Sequence, residues 1–164
     1  MPKITPCLWF DFGKGEQAAE HYCSIFPNSR VLHVERYGDD GGPGGAPAGS
    51  VMVVHFELDG TEFVALNGGP NFTFDEAISF QIDCESQEEV DHYWSRLGDG
   101  GEEGPCGWLK DRFGVSWQVV PTRLKELLAD SDPEKAKRAM DAMLQMRKID
   151  IAEIEQAASA GAPA

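Results

Sequence analysis

The chain repeats itself, and the repeat limits the possible folds more than any other feature. A strand-like segment, Cys7-Leu8-Trp9-Phe10-Asp11-Phe12, passes through Gly13 into a helical pattern. Far along the chain, Ile78-Ser79-Phe80-Gln81-Ile82-Asp83 does the same through Ser86-Gln87-Glu88-Glu89, a capping residue followed by an acidic first turn. Within the two helices Glu20-His21-Tyr22-Cys23-Ser24 aligns with Asp91-His92-Tyr93-Trp94-Ser95. Self-similarity at this spacing predicts a duplicated unit.

Each helix carries one apolar stripe: Ala19, Tyr22, Cys23 and Phe26 in the first, Val90, Tyr93, Trp94 and Leu97 in the second. Each half then continues in β. A strand over Arg30–Tyr37 follows the first helix, and Val51–Leu58 and Thr61–Asn67 flank Asp59-Gly60, a pair suited to tight hairpin turns. In the second half Gly107–Asp111 and Val115–Val120 flank Arg112-Phe113-Gly114. The segment Gly38–Gly49, rich in Gly and Pro, is expected to support no packed structure. After Pro121 the pattern turns helical, with Leu124, Leu127 and Leu128, then a start at Asp132-Pro133 and a stripe of Ala136, Met140, Met143 and Leu144. The expected fold is α+β: one domain of two βαβββ modules, residues 1–70 and 71–121, with a C-terminal helical extension over residues 122–160.

With 28 acidic against 14 basic side chains the formal charge is -14, which repels nucleic acid and anionic lipid. The N-terminal segment has no continuous apolar core of a secretory signal, and no apolar run is long enough to span a bilayer as a helix, so a cytoplasmic protein is expected. Cys7, Cys23, Cys84 and Cys106 are scattered without metal-site spacing and read as reduced thiols. The four histidines, His21, His33, His55 and His92, read as structural or surface residues. His33 and His55 lie on neighbouring β segments, with no carboxylate spacing to orient them.

Three segments carry a resemblance: Gly107-Trp108-Leu109-Lys110-Asp111-Arg112-Phe113-Gly114-Val115-Ser116-Trp117-Gln118-Val119-Val120-Pro121, Ala65-Leu66-Asn67-Gly68-Gly69-Pro70, and Met140–Asp150. Together with the repeat they resemble the vicinal oxygen chelate superfamily, the glyoxalase and bleomycin-resistance fold. More narrowly they resemble its PhnB-like branch, often labelled demethylubiquinone methyltransferase. The resemblance implies a curved mixed sheet around a concave cup, a homodimer, and a divalent metal held by four side chains. The four positions fall at Cys7, near Ala65, at Ala77 with a one-residue slip allowed, and at Gln118. None is a carboxylate or an imidazole, so no cofactor and no metal are expected there. The chain also lacks the Gly-rich strand-to-helix turn of a nucleotide-like methyl donor site.

Strand alternation assigns the cup lining. Ser79, Gln81, Ser116 and Gln118 are expected to face the cup from the second module, with Trp108 beside them, and Cys7, Trp9, Asp11, Phe63, Ala65 and Asn67 from the first. Aromatic surface mixed with hydrogen-bonding groups suits a small organic ligand. The expected function is therefore small-molecule binding. The alternative is an enzyme, a lyase, dioxygenase or transferase, using a non-standard metal site or Asp11 as base, with Cys7 as a candidate nucleophile.

Overall fold

The structure, a computed structural model, describes residues 2–161. The chain divides into two units, Met1–Phe74 and Asp75–Ala164. The first contains β1 (Cys7–Phe10), α1 (Lys14–Ile25), β2 (Arg30–Arg36), β3 (Val51–Leu58) and β4 (Thr61–Asn67). The second contains β5 (Ser79–Cys84), α2 (Gln87–Gly98), β6 (Glu102–Glu103), β7 (Trp108–Lys110) and β8 (Ser116–Pro121), followed by α3 (Thr122–Leu128), α4 (Pro133–Met143) and α5 (Ile151–Ser159).

The two units repeat one topology. The first sheet has the order β1-β4-β3-β2 and the second β5-β8-β7-β6, and in each the first strand pairs in parallel with the last. The remaining pairs are antiparallel, so both sheets are mixed and the fold is α+β. A βαβββ module accounts for this order, because the helix carries the chain across the sheet and the last two strands return as a meander.

Burial explains why each helix forms where it does. Ala18, Ala19, Tyr22 and Ile25 of α1 are buried, and Tyr22 stacks on Phe56, which stacks on Phe63. In α2 the buried residues are Val90, Tyr93, Trp94 and Leu97, and the Ser86 hydroxyl accepts the Glu89 N–H as an N-cap. The C-terminal helices bury Leu124, Leu127, Ala139, Ile149, Ile154 and Ala158 in one cluster. In α4 it is Ala139 that is buried, whereas Met140 and Leu144 of the predicted stripe are exposed.

The expectation for Gly38–Gly49 is overturned. Gly41 N–H donates to Gly38 O, Gly42 N–H to Ala46 O and Gly49 N–H to Gly38 O, around a 3-10 turn at Pro43–Gly45, and Ala46 is buried. The Tyr37 ring occupies the space where a Cβ on Gly42 would stand, and its hydroxyl donates to Asn67 O at 2.7 Å. The glycines supply positive φ at Gly41 and Gly49 for a folded loop, a use that composition alone does not distinguish from disorder.

Candidate functional site

The second sheet presents its polar residues on the face away from α2. Phe80, Leu109, Trp117 and Val119 share the other face, with Leu109, Trp117 and Val119 buried. The β5–β8 register pairs Ser79 with Ser116 and Gln81 with Gln118, and the β7–β8 register pairs Lys110 with Ser116 and Trp108 with Gln118. Residues so paired point to one side of a sheet. Trp108, Lys110, Ser116, Gln118, Ser79 and Gln81 therefore share a face, as alternation predicts for Ser79, Gln81, Ser116 and Gln118.

A cavity of about 420 Å³ opens on this face, lined by Ser116, Trp108, Lys110, Glu76, Glu102 and Pro105 among others. The Ser116 hydroxyl is buried and has no hydrogen-bond partner among the described residues. Gln118 donates to the Ser79 hydroxyl at 2.9 Å, and Gln81 donates to Asp83, so these two amides are engaged within the module. Lys110 Nζ meets a Glu76 carboxylate oxygen at 2.5 Å, which holds that carboxyl below its usual range and raises the lysine above its own. Lys110 could have been found from the sequence, because it lies two residues from Trp108 on one strand. Glu102 and Glu103, in a stretch the sequence reading leaves unassigned, form β6.

The hairpin behind the cavity is fixed by Asp111. Its carboxylate accepts N–H donations from Phe113 and Val115 and from the Trp117 indole at 2.8 to 3.0 Å, and the residue is buried. One wall is held from the C-terminal segment. Cys106 N–H donates to Met146 O, Gly107 N–H to Arg147 O, and the Arg147 guanidinium to Glu103 O. Gln87 joins α2 to the same segment by bonding Ile149 O and Ile151 N–H.

In the first module the predicted lining is corrected. The β1–β4 register pairs Leu8 with Ala65 and Phe10 with Asn67, whereas Trp9 pairs with Leu66 and Cys7 with Val64. Phe63, Ala65 and Asn67 consequently face α1, opposite Cys7 and Trp9. A Cβ on Gly15 of α1 would stand 2.6 Å from Asn67 Oδ1 and 3.3 Å from Ala65 Cβ. The Asn67 side chain is a buried clamp: Oδ1 accepts the Gly15 N–H at 2.7 Å, and Nδ2 donates to Glu16 and to Val51 O. Phase was unreadable here because Val64, Ala65 and Leu66 are apolar in succession. Trp9 donates from its indole to Gly69 O and meets Phe72 edge-on, so it is partly committed to the turn after β4.

Asp11 lies beyond the end of β1, exposed, with its carboxylate accepting the Phe12 N–H at 2.7 Å. For Cys7, partial burial pushes the thiol above its ordinary value, which works against a thiolate nucleophile. Burial, with Glu89, Asp83 and Glu85 nearby, pushes Cys84 up to about 12. Iodoacetamide near pH ~8 is expected to leave Cys84 unmodified in the folded protein and to modify it in urea, as read by peptide mass spectrometry. Modification at a free-thiol rate in the folded state would refute its burial.

The superfamily's metal does not fit these residues. Ala65 faces the helix, Ala77 lies in the turn before β5 with its N–H given to Asp75, and Gln118 is bonded to Ser79. Among the described residues no three His, Cys, Asp or Glu side chains converge as a metal site. His33 and His55 do have carboxylate neighbours, which corrects the sequence reading: Glu35 lies 3.3 Å from His55 and 3.8 Å from His33, and Glu62 lies 3.7 Å from the other His55 nitrogen. Cross-strand pairing of His33 with His55 brings them together in a way linear spacing does not reveal.

Comparisons with known proteins agree with this architecture. Residues 2–120 match the family described as 3-demethylubiquinone-9 3-methyltransferase. A PhnB protein from Bacillus cereus, described as a putative 3-demethylubiquinone-9 3-methyltransferase, is 36% identical, with a TM-score of 0.64 over 74% of this chain and 100% of that one. Protein PA1353 from Pseudomonas aeruginosa is 21% identical, TM-score 0.60, over 74% and 98% of the two chains. The fosfomycin resistance protein FosX from Listeria monocytogenes is 16% identical, TM-score 0.51, over 77% and 97%. The last two show likeness of fold alone. No curated protein matches. Among the described residues the parallel strand pairs are β1 with β4 and β5 with β8, so β1, α1 and β2 do not form the adjacent parallel unit of dinucleotide-binding folds. No helix among the described residues is long and apolar enough to cross a membrane.

Proposed function

The chain belongs to the family described as 3-demethylubiquinone-9 3-methyltransferase, the PhnB-like branch of the vicinal oxygen chelate superfamily, and on that premise we propose that it binds a small organic molecule in the cavity of its second module, without the superfamily's usual metal. One observation carries the reading: Ser116, a residue lining a cavity of about 420 Å³, has a buried hydroxyl with no hydrogen-bond partner among the described residues. A buried hydroxyl with no partner costs about 1–3 kcal/mol, so a protein retains one at the expense of stability. A ligand that bonds this hydroxyl recovers that loss on binding. The volume lies within the roughly 300–1,000 Å³ common for small-molecule sites, and Trp108 supplies apolar surface beside the polar groups.

The test uses opposite signs. Ser116→Ala is expected to stabilise the unliganded protein by about 1 kcal/mol, read from the urea midpoint, because the unmet hydroxyl is gone. The same variant is expected to lose the thermal shift given by any compound that raises the melting temperature of the parent chain. Destabilisation by Ser116→Ala, or shifts that survive it unchanged, would remove the basis of the reading.

A further inference from the structure

We propose that this cavity takes a small organic cation, an amine carried on an aromatic or aliphatic body. The inference rests on the binding reading above and adds the charge of the ligand. The lining contains one cation, Lys110, and three carboxylates, Glu76, Glu102 and Glu103. Lys110 is already committed, with its ammonium against Glu76 at 2.5 Å and Glu102 and Asp75 close enough to strengthen its hold on the proton. An anionic ligand would have to displace Glu76 and then lie beside Glu102, so it would exchange one ion pair for another and add a repulsion.

A cation meets the reverse situation. Glu103 is spent on α2, its Oε1 accepting the Trp94 indole N–H at 2.9 Å. Glu102 stands opposite Lys110 in the β6–β7 register, on the cavity side, and forms no ion pair among the described residues. With Lys110 paired to Glu76, the lining keeps the charges of Glu102 and Glu103 in excess, and of these two Glu102 is the one on the cavity side of the sheet. Trp108 offers an aromatic face on the same side of the sheet, where an amine gains from the ring's negative face. The Ser116 hydroxyl can accept a hydrogen bond from an ammonium. The net charge of -14 draws cations toward the chain as a whole.

Calorimetric titration of the full chain with phenethylamine, phenethyl alcohol and phenylpropanoate, three compounds sharing a ring and a short chain, separates charge from apolar burial. The amine is expected to bind about tenfold more tightly than the alcohol, with the propanoate weakest, and to weaken as salt is raised. Glu102→Gln is expected to abolish the tenfold preference while leaving the melting temperature unchanged; Glu20→Gln, an exposed site on α1 with the same change of charge, is expected to leave it intact. If the alcohol or the propanoate binds as well as the amine, the cation assignment fails and the binding reading stands. Amine binding indifferent to Glu102→Gln also overturns it. If none of the three produces heat or a thermal shift, both readings fall.

Discussion

Asp111→Ala is expected to cost about 3–5 kcal/mol, because it leaves three donors without an acceptor, two of them in buried surroundings. The Phe113 and Val115 N–H groups and the Trp117 indole all end on this one carboxylate. Two of them set the β7–β8 turn and the third ties it to the face that packs under α2. Asp111→Asn is expected to lose less: the amide oxygen can still accept from the backbone, while its NH2 group turns toward the indole N–H, donor against donor. Urea unfolding followed by tryptophan fluorescence reads both losses, and a midpoint change in Asp111→Ala worth under ~1 kcal/mol would show that water or a rearranged turn satisfies these donors.

The second large effect lies in the other module. Asn67→Ala is expected to cost about 2–4 kcal/mol, since the Gly15 N–H at the start of α1 and Val51 O on β3 both lose their partner. Gly15→Ala should damage the same contact from the opposite side, because its Cβ would meet Asn67 Oδ1 at 2.6 Å. The double variant distinguishes the two causes: with the amide removed, the 2.6 Å approach to Oδ1 is gone while that to Ala65 Cβ at 3.3 Å stays, so the combined loss is expected to fall short of the sum by ~1 kcal/mol or more. Strictly additive losses would mean that Gly15 and Asn67 do not share one contact.

Much of this architecture is legible in the residues. The repeated strand and helix patterns predict both βαβββ modules, and the alternation of Ser116 and Gln118 with Trp117 and Val119 assigns the faces of β8 because polar and apolar residues separate cleanly there. The same rule fails on β4, where Val64, Ala65 and Leu66 leave no contrast to read and Asn67, polar yet buried, points to the helix instead of a ligand. Burial of Asn67 is set by Gly15, far off in sequence, and no local pattern announces it. The histidine pair shows the same limit, since Glu35 and Glu62 reach His55 only across strands. Residues that line the cavity from short or irregular elements, Glu76, Glu102 and Pro105, carry no periodicity at all.

The family match ends at residue 120, yet the carbonyls of Met146 and Arg147 receive the N–H groups of Cys106 and Gly107, next to Pro105 at the cavity wall. On the binding reading proposed above, selectivity then has a control outside the residues matched to the family. Lengthening, shortening or repacking the tail can retune which molecules are admitted while every side chain facing them stays the same, so relatives with identical linings need not share a ligand.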